Sequence, residues 1–221
     1  MKRSATKAFL FDLDGVLIDS EPAWQIEEAR LYPRLLGNDV TTKMGPTIGM
    51  GIDSIYDKAT AAGAEITRQR FHDEFDKLGD KIYNKATIPD GLHDLVVTLR
   101  QLGFKIGIVS ASPMKWIDAV INRLALRHDI DLIISIHERK DLAHKPAPDG
   151  YLDAIKSLGC TPDQTIILED SNTGIAAAKA AGAYTIGLRQ NLLPGYVQEG
   201  ADIYADTLTD VAQLVKLHTS D

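Results

Sequence analysis

Two carboxylates stand two residues apart in the segment Phe11-Asp12-Leu13-Asp14-Gly15. Carboxylates this close repel each other, so a fold that keeps them together needs a reason to do so. One reason is a cation such as Mg²⁺, which prefers oxygen ligands in octahedral geometry. Another is a division of labour in which one carboxylate attacks and the other carries a proton. The segment also fits an acidic surface turn, so its interpretation depends on the rest of the chain.

Further groups that suit a cation or an anion occur later in the chain. A second acid pair, Glu169-Asp170, precedes an alanine-rich stretch and either caps a helix or binds a cation. Lys145 stands between His144 and Pro146. Because proline restricts the backbone, this lysine is either aimed at a ligand or simply solvated.

Small polar residues follow an apolar run at Ser110-Ala111-Ser112. A helix is predicted to begin near Pro113, and the free N–H groups at a helix start favour an anion. The same residues are equally compatible with a plain helix cap. A metal ion, a lysine and backbone N–H groups would together supply the positive charge that a phosphate needs.

Most of these polar residues come at the ends of short apolar runs that helical stretches separate. Continuous apolar strands alternating with helices predict a parallel sheet covered on both faces. Ligands bind such sheets at the carboxyl ends of the strands. We therefore expect an α/β fold with a three-layer, Rossmann-like core. The predicted strands are Ala8–Phe11, Lys105–Val109, Leu132–Ile134, Thr165–Leu168 and Tyr184–Leu188.

The stretch from Ile18 to Lys85 differs from the rest of the chain. It has helical periodicity and no strand alternation. Pro89-Asp90-Gly91 then marks a turn back to the strand-and-helix pattern. We predict a core domain of residues 1–17 and 86–221, with a small helical cap domain of residues 18–85 inserted after the first strand.

The composition argues against several classes of partner. The net charge is −7 and no basic stretch is present, so nucleic acid is not expected to bind. No run of about 18 apolar residues occurs, so neither a membrane span nor a membrane partner is expected. The single cysteine, Cys160, cannot form an internal disulfide, which favours a cytoplasmic location. We expect a monomer or a weak oligomer.

The polar segments, taken in order, resemble the four motifs of the haloacid dehalogenase superfamily over essentially the whole chain. Asp12-Leu13-Asp14-Gly15-Val16 resembles the first motif, Ser110 the second, Lys145 before proline the third, and Glu169-Asp170 the fourth. The intervals are 98 residues from 12 to 110, 35 from 110 to 145 and 24 from 145 to 169. Four motifs in this order make the resemblance specific.

The resemblance implies a magnesium-dependent phosphatase that acts on small phosphorylated metabolites. Asp12 would attack phosphorus to form an aspartyl-phosphate, and Asp14 would carry the protons. Ser110, Lys145 and the N–H of Ala111 would bind the phosphoryl group. The implied ligands of Mg²⁺ are Asp12, the backbone carbonyl of Asp14, Asp170 and Glu169, the last either in contact with the metal or just behind its ligands.

Within the superfamily the chain resembles the sugar phosphatases and the β-phosphoglucomutases. Asp14 speaks against a true dehalogenase. The mutases usually carry a cap histidine where this chain has Trp24, and an arginine in the loop that here reads Ile48-Gly49-Met50-Gly51-Ile52. The resemblance therefore favours a phosphatase of sugar or polyol phosphates. The residues predicted to contact the substrate are Glu21, Trp24, Gly49, Met50 and Ser112.

Two alternatives to a phosphatase stay open at this point. One is a mutase that interconverts β-glucose 1-phosphate and glucose 6-phosphate. The other is a non-catalytic module that binds a phosphate or a cation. The sequence does not identify the substrate, because hexose, pentose, polyol and glycolate phosphates are all compatible with it.

Overall fold

A computed structural model of the chain describes residues 6–218. Within this range six strands form one sheet. The strands are β1 (Lys7–Phe11), β2 (Phe104–Ser110), β3 (Leu132–Ser135), β4 (Thr165–Glu169), β5 (Tyr184–Leu188) and β6 (Ile203–Ala205). The helices are α1 (Glu21–Leu36), α2 (Asn38–Met44), α3 (Ile52–Ala61), α4 (Arg68–Tyr83), α5 (Leu92–Gln101), α6 (Met114–Leu124), α7 (Asp149–Ser157), α8 (Asn172–Ala180) and α9 (Leu208–His218).

The strands run parallel in the order β3-β2-β1-β4-β5-β6. Phe11, at the end of the central strand β1, is level with Ile108 of β2 and Leu168 of β4. The carboxyl ends of these three strands therefore lie side by side at one edge of the sheet. The predicted α/β class is confirmed, and so are the five predicted strands. β6 has no counterpart among them, because its three residues are too short a run to show a pattern.

Alternate residues of the strands face two different apolar layers, as the period of a strand requires. Phe9 and Phe11 of β1 pack in a layer with α5, α6 and α9, whereas Ala8 and Leu10 pack with α7 and α8. All four side chains are fully buried. Because helices cover both faces, the sheet holds its strand ends in fixed positions. No helix among residues 6–218 has both the length and the apolar character needed to cross a bilayer.

The helices α1 to α4 lie between β1 and β2 in the chain, and residues 21–83, which we call the helical insert, contain no strand. Their apolar side chains continue the layer on the Phe9 side of the sheet. A tight junction occurs at Gly79 of α4, where a Cβ would stand 2.0 Å from the ring of Trp116 in α6. A larger residue at position 79 would push the insert away from the sheet.

A cluster of charges also joins the helical insert to the sheet. At its centre is Asp53 of α3, which is 6% exposed. Arg68 and His72 approach it from α4, and His137 and Lys140 approach it from the loop after β3. Burial alone raises the pKa of Asp53, but the basic neighbours, Lys140 first among them, outweigh burial and lower that pKa. Asp53 is therefore an ionised acid surrounded by basic groups.

We expect Asp53→Asn to lower the free energy of unfolding by about 2 kcal/mol, because the buried carboxylate loses its ion pair with Arg68 and the new amide group places an NH₂ donor among other donors. Asp57→Asn is the matched control. Asp57 pairs with the same Arg68, but its side chain is 66% exposed, and exposed pairs contribute less than about 1 kcal/mol. Urea unfolding of both variants measures the difference. Equal losses in the two variants would contradict the role given to Asp53.

Candidate active site

The carboxyl ends of β1 and β4 bring three acids together. One carboxylate oxygen from each of Asp12, Glu169 and Asp170 lies within 4.8 Å of the others, and all three residues are buried. The Asp12 amide donates a hydrogen bond to the Leu168 carbonyl at 3.1 Å, which continues the pairing of the two strands past the end of β1. Parallel pairing thus sets the two acid motifs side by side.

Lys145 supplies positive charge to these acids. Its Nζ donates to Asp12 Oδ1 and to Glu169 Oε1, each at 2.6 Å, and to the Val109 carbonyl at 3.3 Å. Burial alone lowers the pKa of Lys145, but the charges of Asp12 and Glu169 outweigh burial and hold that pKa well above its ordinary value. Lys145 is therefore a buried cation aimed at the site, and not a solvated surface lysine.

The carboxylate of Glu169 is surrounded by hydrogen-bond donors. Lys145 and the Tyr151 hydroxyl both donate to its Oε1. The amides of Asp170 and Ser171 donate to its Oε2 at 3.2 and 3.4 Å. The residue is fully buried. Both oxygens of Glu169 are therefore engaged by donors of the protein, and one of them holds the Lys145 ammonium group.

Three hydroxyl groups hold Asp14. Ser20 Oγ and Tyr83 OH donate to its Oδ1 at 2.6 Å each, and Ser112 Oγ donates to its Oδ2 at 2.8 Å. Tyr83 is the last residue of α4, and Ser20 immediately precedes α1. Neither is among the predicted site residues. Tyr83 reads as an apolar position of an amphipathic helix, and its separation of 69 residues from Asp14 leaves no local signal.

Gly15 permits the close approach of the two acid motifs. Its φ is +72°, and a Cβ at this position would stand 1.9 Å from Asp170 Oδ2. Another residue here would strain the backbone and displace the Asp170 carboxylate. Gln198 secures Asp170 further by donating to its carbonyl oxygen at 2.6 Å. The backbone of Asp170 is therefore held in place, and its carboxylate lies against the turn that follows Asp14.

The acids of the site outweigh its one lysine in charge. Burial raises the pKa of Asp12 to about 7, and neighbouring acids add to this effect against the opposing charge of Lys145. Burial, and after it the charge of Glu21, raises the pKa of Asp170 well above its usual range. Burial disfavours the ionised form of both acids, and the neighbouring carboxylates add negative charge that Lys145 alone does not balance. A divalent cation would balance it, and a donor set made only of oxygens suits Mg²⁺.

A cavity of about 250 Å³ lies between these strand ends and the helical insert. At one end it is lined by the residues that carry the charges of the site, namely Asp12, Asp14, Lys145 and Asp170. The cavity is also lined by Ala111 and by every residue predicted to contact the substrate, namely Glu21, Trp24, Gly49, Met50 and Ser112. The fold therefore gathers these sequence-predicted residues around one space.

Ser110 lies at the predicted strand end but does not line the cavity. Its side chain is 1% exposed, and its Oγ accepts a hydrogen bond from the Ser112 amide at 3.0 Å. This contact fixes the loop in which Ala111 lies. The hydroxyl of Ser110 thus shapes the loop and is turned away from the open space.

Trp24 belongs to an aromatic wall of the cavity. Its ring stacks on Phe75 with a centroid distance of 5.7 Å, and it lies 5.5 Å from the ring of Trp116. Its Nε1 donates to Tyr83 OH at 3.4 Å. Trp24 consequently packs within the insert and faces the cavity at the same time.

The chain is similar to known proteins along most of its length. Residues 6–182, which include all four polar motifs, match the family described as haloacid dehalogenase-like hydrolase. Hexitol phosphatase B of Escherichia coli (strain K12) is 31% identical over 179 residues, which cover 79% of each chain. Validoxylamine A 7'-phosphate phosphatase of Streptomyces hygroscopicus subsp. limoneus is 29% identical over 215 residues, or 93% of this chain and 95% of that one. The crystal structure of β-phosphoglucomutase from Clostridium difficile matches with a TM-score of 0.77 at 25% identity and covers 97% of both chains.

Proposed function

Because the chain belongs to the haloacid dehalogenase-like hydrolases, we propose that it hydrolyses phosphate monoesters of small metabolites, with sugar or polyol phosphates as the substrate class. The observation that carries this proposal is the buried ammonium group of Lys145, held 2.6 Å from Asp12 Oδ1 at the end of the cavity. This contact places the proposed nucleophile, Asp12, next to a cation that can bind a phosphate group. The names of the hexitol and validoxylamine phosphatases support a polyhydroxylated substrate.

In the proposed reaction, Asp12 attacks the phosphorus of the monoester through the carboxylate oxygen that Lys145 does not bind. The bond between phosphorus and the ester oxygen breaks, and an aspartyl-phosphate forms. Asp14 donates a proton to the departing oxygen. Asp14 then accepts a proton from the water that attacks phosphorus. The bond between phosphorus and the Asp12 oxygen breaks, which releases inorganic phosphate and restores the Asp12 carboxylate.

Lys145 and the backbone N–H of Ala111 are proposed to bind the phosphoryl oxygens. Phosphoryl transfer depends mainly on positioning and on stabilising charge, and a buried ammonium group provides both. Ala111 lies between β2 and α6 and lines the cavity, and N–H groups at such turns favour anions. Ser110 supports this loop through the Ser112 amide, so we assign it a positioning role.

Asp12, Asp170 and the backbone carbonyl of Asp14 are the groups proposed to hold Mg²⁺. The ion would supply charge neutralisation for the nucleophile and for the phosphoryl oxygens. Glu169 is proposed to lie behind these ligands, since its oxygens already accept five hydrogen bonds, from Lys145, Tyr151, the Asp170 amide, and the amide and hydroxyl of Ser171.

We further propose that residues 18–85 act as a cap on a core formed by residues 1–17 and 86–221. A cap excludes water during the transfer and contributes groups that choose the substrate. In this chain the cap also holds the proton carrier, because Ser20 and Tyr83, which both belong to residues 18–85, donate hydrogen bonds to Asp14. Closure of the cap and orientation of Asp14 would therefore be coupled.

A β-phosphoglucomutase is the second candidate. Such a mutase passes through a sugar bisphosphate, so its cavity must bind a second phosphate away from the nucleophile. Among the described residues that line this cavity, Lys145 is the only one with a cationic side chain, and the proposed mechanism uses it at Asp12. The absence of another lysine, arginine or histidine from this lining favours transfer to water.

The proposed function predicts release of p-nitrophenol and inorganic phosphate from p-nitrophenyl phosphate in the presence of Mg²⁺. Removal of the metal with EDTA should reduce the rate to near background, and added Mg²⁺ should restore it. Phosphate release should also occur with sugar or polyol phosphates. Conversion of β-glucose 1-phosphate to glucose 6-phosphate with little free phosphate would favour the mutase, and no reaction in any assay would overturn both enzymatic proposals.

A further inference from the structure

Two acids that the proposed mechanism does not use line the cavity from the helical insert. Glu21 and Glu28 stand seven residues apart on α1, which puts them on the same side of the helix two turns apart. No cationic side chain among the described lining residues faces them except Lys145, which is bound to Asp12. This part of the cavity is therefore acidic.

Glu28 is held in place by a short chain of hydroxyl groups. Thr47 Oγ1 donates to Glu28 Oε2 at 2.8 Å. The Tyr32 hydroxyl lies 3.3 Å from Thr47 Oγ1. The Tyr32 hydroxyl is also hydrogen-bonded to the carboxyl group of Glu28. The carboxylate of Glu28 is thus oriented, and it keeps further lone pairs to accept hydrogen bonds from a ligand.

Glu21 strengthens the acidic character of this region. Burial, and after it the charges of Asp14 and Glu28, raises the pKa of Glu21 to about 8. Whether its carboxyl group is neutral or ionised, Glu21 offers no positive charge to a ligand. An ionised Glu21 would repel an anionic group beside it, and a neutral Glu21 would not attract one.

We propose that Glu28, oriented by Thr47 and Tyr32, selects leaving groups that are rich in hydroxyl groups and carry no anionic group of their own. This inference rests on the phosphatase function proposed above and names a specificity-determining residue for it. A substrate hydroxyl can donate a hydrogen bond to the oriented carboxyl group of Glu28. A carboxylate or a second phosphate in the leaving group would lie near Glu21 and Glu28 without a cation to balance it, which disfavours such substrates.

The inference is tested by comparing three substrates: glucitol 6-phosphate, phosphoglycolate and p-nitrophenyl phosphate. The native chain should prefer glucitol 6-phosphate to phosphoglycolate by at least about 100-fold in kcat/KM. Glu28→Gln should lower the ratio of kcat/KM for glucitol 6-phosphate to that for p-nitrophenyl phosphate by about tenfold, and it should narrow the preference over phosphoglycolate. Thr47→Val, which removes only the orienting hydroxyl, should shift both ratios in the same direction by a smaller factor.

Glu27→Gln is the matched control. It makes the same change of charge on the same helix, but Glu27 does not line the cavity and pairs with Lys81 at 2.9 Å. Both ratios should be unchanged in this variant. A native chain that hydrolyses p-nitrophenyl phosphate but prefers phosphoglycolate would overturn the inference and leave the phosphatase function standing. Equal ratios in the Glu28 and Glu27 variants would also overturn it.

Discussion

Asp12→Asn is expected to abolish phosphate release while leaving the fold intact. An amide cannot attack phosphorus, and loss of a nucleophile that works with its neighbours typically lowers turnover by about 10⁴-fold or more. Asparagine has nearly the same shape as aspartate, and its Oδ1 can still accept the hydrogen bond that Lys145 donates to Asp12. Phosphate release measures the loss, and circular dichroism and urea unfolding measure the fold.

The control for this variant is Asp163→Asn, which makes the same change of charge on the exposed turn before β4. Its turnover should match that of the native chain. Acid quenching of the native enzyme during turnover should trap an acyl phosphate that hydroxylamine cleaves, and the Asp12 variant should form none. Undiminished hydrolysis by Asp12→Asn, with no deamidation of the new residue, would overturn the assignment of the nucleophile.

The residues of the site that lie at the strand ends could be predicted, because the sequence shows where the strands end. Apolar runs that end in Asp12 and Glu169 predict two strands. They also predict that both acids lie at the same edge of the sheet, since the carboxyl ends of adjacent parallel strands lie side by side. The register confirms this reasoning, with Phe11 level with Leu168. Such a pattern predicts that residues far apart in the chain lie close together, although no tertiary contact can be read from the sequence.

The direction of a side chain at a strand end is harder to predict than its position. Ser110 and Glu169 both come where the sequence places them, yet neither lines the cavity. Ser110 turns to the amide of Ser112, and Glu169 turns to Lys145 and Tyr151. Such orientation depends on backbone dihedrals and on which donors lie nearby, and neither quantity is visible in a residue pattern.

The helical insert contributes predicted residues to the cavity, such as Trp24 and Met50, but it also contributes groups that were not predicted as site residues. Tyr83, Glu28 and Thr47 sit in a stretch whose pattern indicates only amphipathic helices and a loop. An apolar position of such a helix has the same pattern whether it packs in a core or reaches a site. Only the packing of α4 against α6 brings the hydroxyl of Tyr83 to Asp14.

Asp14→Asn is expected to separate the two chemical steps of the proposed reaction. The alkoxide of a polyol is a poor leaving group and needs a proton, so hydrolysis of glucitol 6-phosphate should fall by roughly 10²–10⁴-fold or more. The p-nitrophenolate ion leaves without a proton, so the first turnover of p-nitrophenyl phosphate should largely survive. The aspartyl-phosphate should then accumulate, because the attacking water has lost its base. Rapid mixing should show a burst of about one p-nitrophenol per enzyme and a slow steady state.

Tyr83→Phe provides the comparison, because it removes one of the three hydroxyls on Asp14 and leaves Ser20 and Ser112 in place. This variant should lose about tenfold in turnover of glucitol 6-phosphate and show no burst, since a less well oriented Asp14 can still carry protons in both steps. A protein in which Asp14→Asn slows both substrates equally, without a burst, would need another proton carrier. The hydroxyls around Asp14 would then have only a structural role in joining the insert to the sheet.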